Sequence, residues 1–141
     1  MTERTKASEK FKFLEHMADI KFQAYGNTLD EVFENIVLAF SDYASSGRKI
    51  KSVKGRIKNI SGNDQESLLY NFLDELIYLL DAENFIVSKA KVLLRGNNLQ
   101  AEFFGDDIKN YELKHIKAAT YAEMHIKKNK DRWEAQIVLD V

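Results

Sequence analysis

The sequence predicts an α+β fold, a two-layer sandwich in which two helices pack on one face of a mixed, largely antiparallel sheet. Two observations carry this prediction: two segments place apolar residues at helical spacing, and several others, most of them after the second helix, place them at alternate positions. The 141 residues match the length of one ordinary domain. We therefore expect a disordered or weakly ordered segment over residues 1–10 and a single domain over residues 11–141.

The first part of that domain predicts two short strands joined by a polar cluster. Aromatic and polar residues alternate over Phe11–Leu14 and Ile20–Tyr25, as in strands with one buried face. The cluster Glu15–Asp19 lies where the two strands meet. Segments held by rigid strands often carry function, although charged residues also occur at ordinary strand ends.

The next segment predicts a helix followed by a strand. Thr28 is a typical N-cap, Glu31 can reach back to the start of the helix, and the apolar stripe continues to Tyr43. Ser45-Ser46-Gly47 ends the helix, and the alternation over Ile50–Ile60 predicts a strand.

A second helix follows, with a wider apolar face. Asn63 and Glu66 are the predicted capping pair, and the apolar face runs from Leu68 to Leu80 and ends near Asp81. In the remaining chain, apolar and polar residues alternate, and this pattern predicts antiparallel hairpins. The predicted strands are Phe85–Leu94, Leu99–Phe104, Ile116–Ile126 and Trp133–Val141, with turns at Gly96–Asn98 and around Asn129-Lys130.

Composition narrows the possible functions. Without cysteine the chain has no disulfide, no thiolate zinc site and no cysteine nucleophile, so a bound metal would be a hard ion with oxygen ligands. The net charge of −1 gives no support for nonspecific nucleic-acid binding. The sequence has no apolar run of about 20 residues, and Thr2–Lys10 is too polar for a signal peptide, so we expect a cytoplasmic protein.

The last predicted strand brings two negative groups together. The alternation continues to Val141, so the side chain of Asp140 and the terminal carboxylate lie in a small space. Such a pair is a natural site for a divalent cation. Both groups could equally point into water.

Six short motifs are spread over nearly the whole chain. They are Phe13–Asp19, Tyr25–Leu29, Phe33–Asn35, Ser67–Leu76, Lys117–Tyr121 and Leu139–Val141. In their order and spacing, these motifs together resemble the archease family.

The resemblance implies a function in tRNA splicing. Archeases are accessory proteins, not enzymes, that promote guanylylation and multiple turnover of a GTP-dependent RNA ligase. The resemblance implies a divalent ion, calcium in the first place, held by Asp19, Asp140 and the terminal carboxylate of Val141. Lys117 matches a lysine important for activation of the partner. The ligase is the expected partner, contact with RNA is expected to be indirect, and no membrane is involved.

His16 also matches the family motif, as a residue that supports the metal, the partner contact or the fold. A single histidine without a second one at metal-ligand spacing is weak evidence for a transition-metal site. Met17 stands where the family usually has threonine. It lacks a hydroxyl that could orient the nearby Asp19.

The residues alone leave other functions open. A metal-dependent phosphoester hydrolase could use Asp19, Asp140 and His16 with a bound water, although the sequence supplies no nucleophile for it. The chain could also be an interaction module whose acids are only structural. Lys117 could contact a phosphate or form a salt bridge that balances the acids.

Other charged residues favour structural explanations. The basic stretch Arg48–Lys58 contains neither acidic nor aromatic residues, which favours a solvated strand edge over an RNA-binding platform. Asp74, Glu75 and Asp81 are expected to face solvent from the second helix.

Two tyrosines and two histidines have no assigned role at this stage. Tyr70 and Tyr78 share a helix flank, where they could border the core or contact a partner. His115 and His125 lie on the predicted strand that contains Lys117.

Overall fold

The computed structural model describes residues 9–15 and 19–141. The elements follow in this order: β1 (Phe11–Leu14), β2 (Ile20–Gly26), α1 (Leu29–Ala44), β3 (Lys54–Ser61), α2 (Gln65–Ala82), β4 (Phe85–Arg95), β5 (Asn98–Asp107), a 3-10 helix (Ile108–Asn110), β6 (Ala118–Lys128) and β7 (Trp133–Asp140). Neither α1 nor α2 is long and apolar enough to cross a membrane. The expectation of weak order over residues 1–10 lies, for residues 1–8, outside the described residues.

The α+β class is confirmed, and the strands form two antiparallel sheets rather than one mixed sheet. Sheet 1 has the strand order β1-β2-β7-β6, and sheet 2 has the order β3-β5-β4. Each pairing is antiparallel. Periodicity shows which segments are strands but not which edges pair, so the sequence did not reveal this division.

Both helices contact both sheets. Helix α1 packs on β2 and β4, and α2 packs on β6, β4 and β3. Between them, the Phe33 and Phe72 rings lie 4.9 Å apart, and Phe72 is 5.8 Å from Phe103 of sheet 2. These rings are fully buried, and burial of each such side chain contributes roughly 1.5–3 kcal/mol.

Capping side chains fix the start of each helix. The Glu31 backbone N–H donates to Thr28 Oγ1 at 3.2 Å, and Glu31 reaches back to accept from the Asn27 N–H at 2.6 Å. The predicted cap of α1 is therefore confirmed. The cap predicted for α2 is wrong by one residue, because Asp64 and Ser67 cap each other's backbone N–H groups at 2.8 and 3.1 Å.

The predicted hairpins β4–β5 and β6–β7 are confirmed. Two details differ from the predicted pattern. Strand β3 begins at Lys54 and not at the predicted Ile50. Ile50 is buried as a strand residue would be, but it lies in an irregular segment before the strand. Strand β6 has a register shift between Thr120 and His125, where Glu123 has a φ of 55°.

Two acids of α1 cover the outer edge of sheet 2. Glu34 Oε2 accepts a hydrogen bond from the backbone N–H of Val92 at 2.9 Å. Asp30 Oδ2 accepts one from Leu94 at the same distance. The edge strand β4 therefore has helix carboxylates where a neighbouring strand would otherwise provide acceptors.

Candidate functional site

Strand register brings three of the predicted site residues to one end of sheet 1. Ile20 of β2 pairs with Leu139 of β7, so Asp19 and Asp140 occupy the next position on neighbouring strands. On the other side of β7, Ala118 pairs with Asp140, and the Lys117 N–H donates to the Asp140 carbonyl oxygen at 2.8 Å. Asp19, Lys117 and Asp140 thus lie at the same end of three adjacent strands.

The side chain of Asp140 lies on the face of sheet 1 that points away from the helices. Ala135, Ile137 and Leu139 belong to the core, so the alternate residues of β7 point outward. Residues that face each other across an antiparallel pair have Cα atoms about 5 Å apart and side chains on the same face. Asp19 and Asp140 directly adjoin the facing pair Ile20 and Leu139, so the two residues lie next to each other at this end of the sheet.

The donor chemistry of this site fits a hard cation. Asp19, Asp140 and Val141 are half-buried, and Lys117 is exposed. Within residues 9–15 and 19–141, no three His, Cys, Asp or Glu side chains group so as to hold a metal ion. Calcium takes six to eight oxygen ligands, so the carboxylates of Asp19 and Asp140 could supply only part of such a coordination shell. His16 lies outside the described residues.

A hydrogen-bonded network lies on the outer face of sheet 1. Gln23 Nε2 donates to Gln136 Oε1 at 2.8 Å, and Gln136 Nε2 donates to the Glu123 carbonyl oxygen at 2.8 Å. Lys21 forms an ion pair with Glu123 at 2.8 Å. The network links β2, β7 and the irregular part of β6, so it stabilises the strands that position Asp19, Asp140 and Lys117.

His125 belongs to this outer face. Its Nε2 lies 2.8 Å from Oε2 of Glu134, which is buried and also lies 3.6 Å from Lys127 Nζ. His115 is exposed in the irregular segment before Lys117. His125 therefore has a structural contact, and His115 has no role that its position explains.

A pair of tyrosines connects α2 to the edge strand β6. The rings of Tyr70 and Tyr121 are stacked with 4.4 Å between centroids and 9° between planes. Tyr121 and Tyr78 remain more than half exposed. The sequence placed Tyr70 and Tyr78 on one flank but did not reveal Tyr121 as the partner of Tyr70, because that contact joins distant segments.

One of the three α2 acids does not follow the prediction. Asp74 and Asp81 are exposed as expected, whereas Glu75 is half-buried. Its buried Oε2 accepts no hydrogen bond, since Lys58 Nζ lies 3.8 Å away. Burial raises the pKa of Glu75.

The basic stretch provides the edge strand β3, as predicted, but three of its cations are paired with carboxylates, Lys54 with Asp107 at 3.8 Å and both Arg56 and Lys58 with Glu83. Lys58 Nζ donates to Glu83 at 2.9 Å, and Arg56 Nε donates to the same carboxylate at 3.0 Å. These hydrogen bonds lower the pKa of Glu83, and the bond to Glu83 raises the pKa of Lys58. The edge is therefore only partly solvated.

A cleft of about 420 Å³ lies at the opposite end of sheet 1. Arg132 lies 3.6 Å over the ring of Tyr25, and Lys89 and Glu34 also line the cleft. Burial raises the pKa of Tyr25. The cleft has both positive and negative side chains and does not include the predicted site residues.

Comparison with known proteins decides the family. The model of the Archease protein family (MTH1598/TM1083) matches residues 11–141. The chain belongs to the archease family. The protein archease of Pyrococcus furiosus is 38% identical over 142 residues, which cover 94% of this chain and 99% of that archease. The protein archease of Methanosarcina barkeri is 37% identical over 141 residues, which cover 94% and 97%.

Solved structures have the same fold. The solution structure of Methanobacterium thermoautotrophicum protein 1598 matches with a TM-score of 0.76 and 30% identity, over 93% of this chain and 98% of that one. The crystal structure of an archease from Thermotoga maritima, described as a possible chaperone, matches with a TM-score of 0.67 and 22% identity, over 92% and 96%. The family and the fold class predicted from the sequence are both confirmed.

Proposed function

We propose that this archease is a metal-binding accessory protein that activates a GTP-dependent tRNA-splicing RNA ligase. In this function it promotes guanylylation of the ligase and its multiple turnover. The main support is the register of sheet 1, which brings Asp19, Asp140 and Lys117 to one end of three neighbouring strands. An accessory function is also compatible with the description of the Thermotoga maritima archease as a possible chaperone.

Asp19, Asp140 and Val141 are the proposed ligands of a divalent ion, with calcium as the first choice. A bound ion would supply positive charge that can polarise a phosphate oxygen. Because pairing with β6 fixes the backbone of Asp140, the chain positions its carboxylate without help from the partner. The two aspartates thus orient the ion at the outer rim of the sheet.

Lys117 is the proposed contact to the partner. Its backbone is fixed by the hydrogen bond to Asp140, while its side chain is exposed. An ammonium group beside a metal site can meet a phosphate oxygen as a compact point charge. We propose that this oxygen belongs to the nucleotide used in guanylylation. His16 is proposed only as a supporting residue.

Ligase assays test this function directly. Guanylylation and multiple-turnover ligation by a cognate ligase are measured with wild-type archease and with the Asp19→Ala, Asp140→Ala and Lys117→Ala variants. We expect the wild type to raise the turnover of the ligase. In each variant this increase in turnover should be at least about tenfold smaller, which corresponds to about 1.4 kcal/mol. Asp131→Ala and Lys130→Ala, in an exposed turn, are matched controls that should retain it.

Calcium titration separates the two roles within the site. We expect Asp19→Ala to weaken calcium binding at least about tenfold and Lys117→Ala to leave it within about twofold, because only the aspartate is a ligand. Removal of divalent ions with a chelator should abolish activation by the wild type. If the wild type has no effect on the ligase, the proposed function is wrong. Metal-dependent phosphoester hydrolysis by the archease alone, lost in Asp19→Ala, would instead support the hydrolase.

A further inference from the structure

The face of sheet 2 that points away from the helices is open. Ala101 and Phe103 of β5 belong to the core, so the alternate residues of the three strands point outward. One outward row joins Asn59, Gln100 and Leu93, and the side chains of Leu93 and Ile57 are 53% and 63% exposed.

Positive charge is concentrated on this outer face. Lys89, Lys91 and Arg95 are exposed on β4, and residues two apart on a strand are separated by about 6.7 Å. The acids among the described outward residues of the three strands are Glu102, opposite Lys91, and Asp106. Asp106 is buried and accepts a hydrogen bond from the Tyr111 hydroxyl at 2.7 Å.

The helices carry the opposite charge. Neither α1 nor α2 contains a lysine or arginine, and each contains several acids. A near-neutral net charge therefore conceals a separation of charge between the helices and sheet 2. Separated charge of this kind steers a highly charged partner to one face.

A shallow groove of about 480 Å³ crosses the same face. Asn59, Asn98, Gln100 and Arg95 line it together with Leu93. Amide and guanidinium groups donate hydrogen bonds to phosphate and sugar oxygens, and amides can also meet base edges. The groove thus combines positive charge with the polar groups that nucleic-acid contacts use.

We propose that the outer face of sheet 2 binds the phosphate backbone of a folded RNA. Lysine is depleted at protein–protein interfaces, so a lysine-rich face favours RNA over an acidic protein. Phe104 of β5 is the one aromatic side chain among the described outward residues of the three strands, and Lys89 Nζ lies 5.7 Å from the centroid of its ring. A single ring is a poor platform for stacking successive single-stranded bases, which favours a double-helical RNA bound through its shape and phosphates. This inference replaces the expected indirect contact with RNA by a direct one, and it requires neither the ligase nor the metal site.

RNA binding by the archease alone tests the proposal. Fluorescence anisotropy of a labelled tRNA transcript is measured between 50 and 200 mM KCl, without ligase. The test variant is Lys89→Gln/Lys91→Gln/Arg95→Gln. The control, Lys12→Gln/Lys128→Gln/Lys130→Gln, makes the same change in net charge at exposed positions of sheet 1 and its hairpin.

We expect the test variant to bind the tRNA at least about tenfold more weakly, and the control to stay within about twofold. Loss of three phosphate contacts on a double helix should reduce the slope of log K against log salt by about 2.7. Circular dichroism verifies that both variants are folded. Activation of ligase guanylylation in the absence of RNA should remain intact in the test variant, so this proposal and the proposed function fail independently.

Three results would overturn the proposal. Equal weakening in both variants would show attraction by net charge alone. Equal affinity of the wild type for poly-glutamate and for tRNA would point to an acidic protein as the partner. Absence of tRNA binding by the wild type at 50 mM KCl would exclude the RNA-binding face itself.

Discussion

The two sheets are built from the same alternating pattern but present different outer faces. On sheet 1, Val138 is fully buried among side chains that hydrogen-bond across the strands, such as Gln23 to Gln136. On sheet 2, Ile57 and Leu93 are more than half exposed beside cations. Amides and opposite charges pair across the strands of sheet 1, as in Gln23 with Gln136 and Lys21 with Glu123, whereas cations outnumber acids on the outer face of sheet 2. Alternation therefore predicts a strand but not the character of its outer side.

The largest expected effect concerns packing at the centre of sheet 2. A Cβ atom at Gly105 would collide with the Ile86 carbonyl oxygen and the Phe85 ring, so Gly105→Ala should destabilise the fold by more than about 3 kcal/mol or prevent folding. At Gly55 the nearest atom to a Cβ is the Phe103 carbonyl oxygen at 3.7 Å, so Gly55→Ala should change stability by less than about 0.5 kcal/mol. Urea unfolding measures both. Equal stability of the two variants would mean that β4 and β5 are loosely packed.

Truncation of matched apolar residues compares the outer faces directly. Val138→Ala on sheet 1 removes buried methyl groups and should cost about 2 kcal/mol. Ile57→Ala on sheet 2 removes atoms already in contact with water, so its cost should stay below about 0.5 kcal/mol. The free energies of unfolding of the two variants test the comparison. A larger loss at Ile57 than at Val138 would reverse it.

Truncation of matched acids gives the next smaller difference. Glu134→Ala on sheet 1 leaves His125 and Lys127 without their buried partner and should cost about 1.5 kcal/mol. Glu102→Ala on sheet 2 removes an exposed carboxylate and should be nearly neutral. Thermal unfolding of the two proteins at neutral pH makes the measurement. If the midpoints fall equally, the network on sheet 1 contributes nothing specific.

The smallest expected effect lies between α2 and sheet 2. The pKa of Glu75 is raised by burial, so the folded chain binds this proton more readily than the unfolded chain. Ionisation of Glu75 therefore reduces stability as the pH rises from its unfolded pKa, about 4.3, through the raised folded value. Glu75→Gln should stabilise the protein by about 1 kcal/mol at neutral pH.

That gain should shrink below the unfolded pKa, where the carboxyl of the wild type is protonated in both states. Urea unfolding at pH 7 and pH 4 checks this dependence, and Asp74→Asn, at an exposed position, is the control. A gain that does not depend on pH would show that burial of the charge is not its cause.

Local signals predicted the helices and hairpins well. The apolar spacing and the cap at Thr28 fixed α1, and the turns after β4 and β6 lie where glycine and asparagine indicate them. The division into two sheets depends on pairings between distant strands, such as β3 with β5, which no local period encodes. Ile50 shows the same limit of local patterns. It fits the alternation of the predicted strand, but it is buried in an irregular segment that precedes β3.

The candidate site came from the family resemblance, and register then explained why its residues lie together. Asp19, Lys117 and Asp140 are far apart in sequence, so spacing alone could not connect them. Burial of Glu75 and the partner of Tyr70 also escaped the sequence, because both depend on how α2 lies across strands from other parts of the chain.

The carboxylates of Asp30 and Glu34 also affect how copies of the chain meet. Because they already accept hydrogen bonds from β4, an incoming strand cannot use those N–H groups. The other edge of sheet 2 is β3, which carries the charged residues Lys54, Arg56 and Lys58, and charged side chains on an edge strand discourage pairing with another strand. Sheet 2 therefore resists growth into fibrils from either side, and a concentrated solution of the folded protein should not aggregate through it.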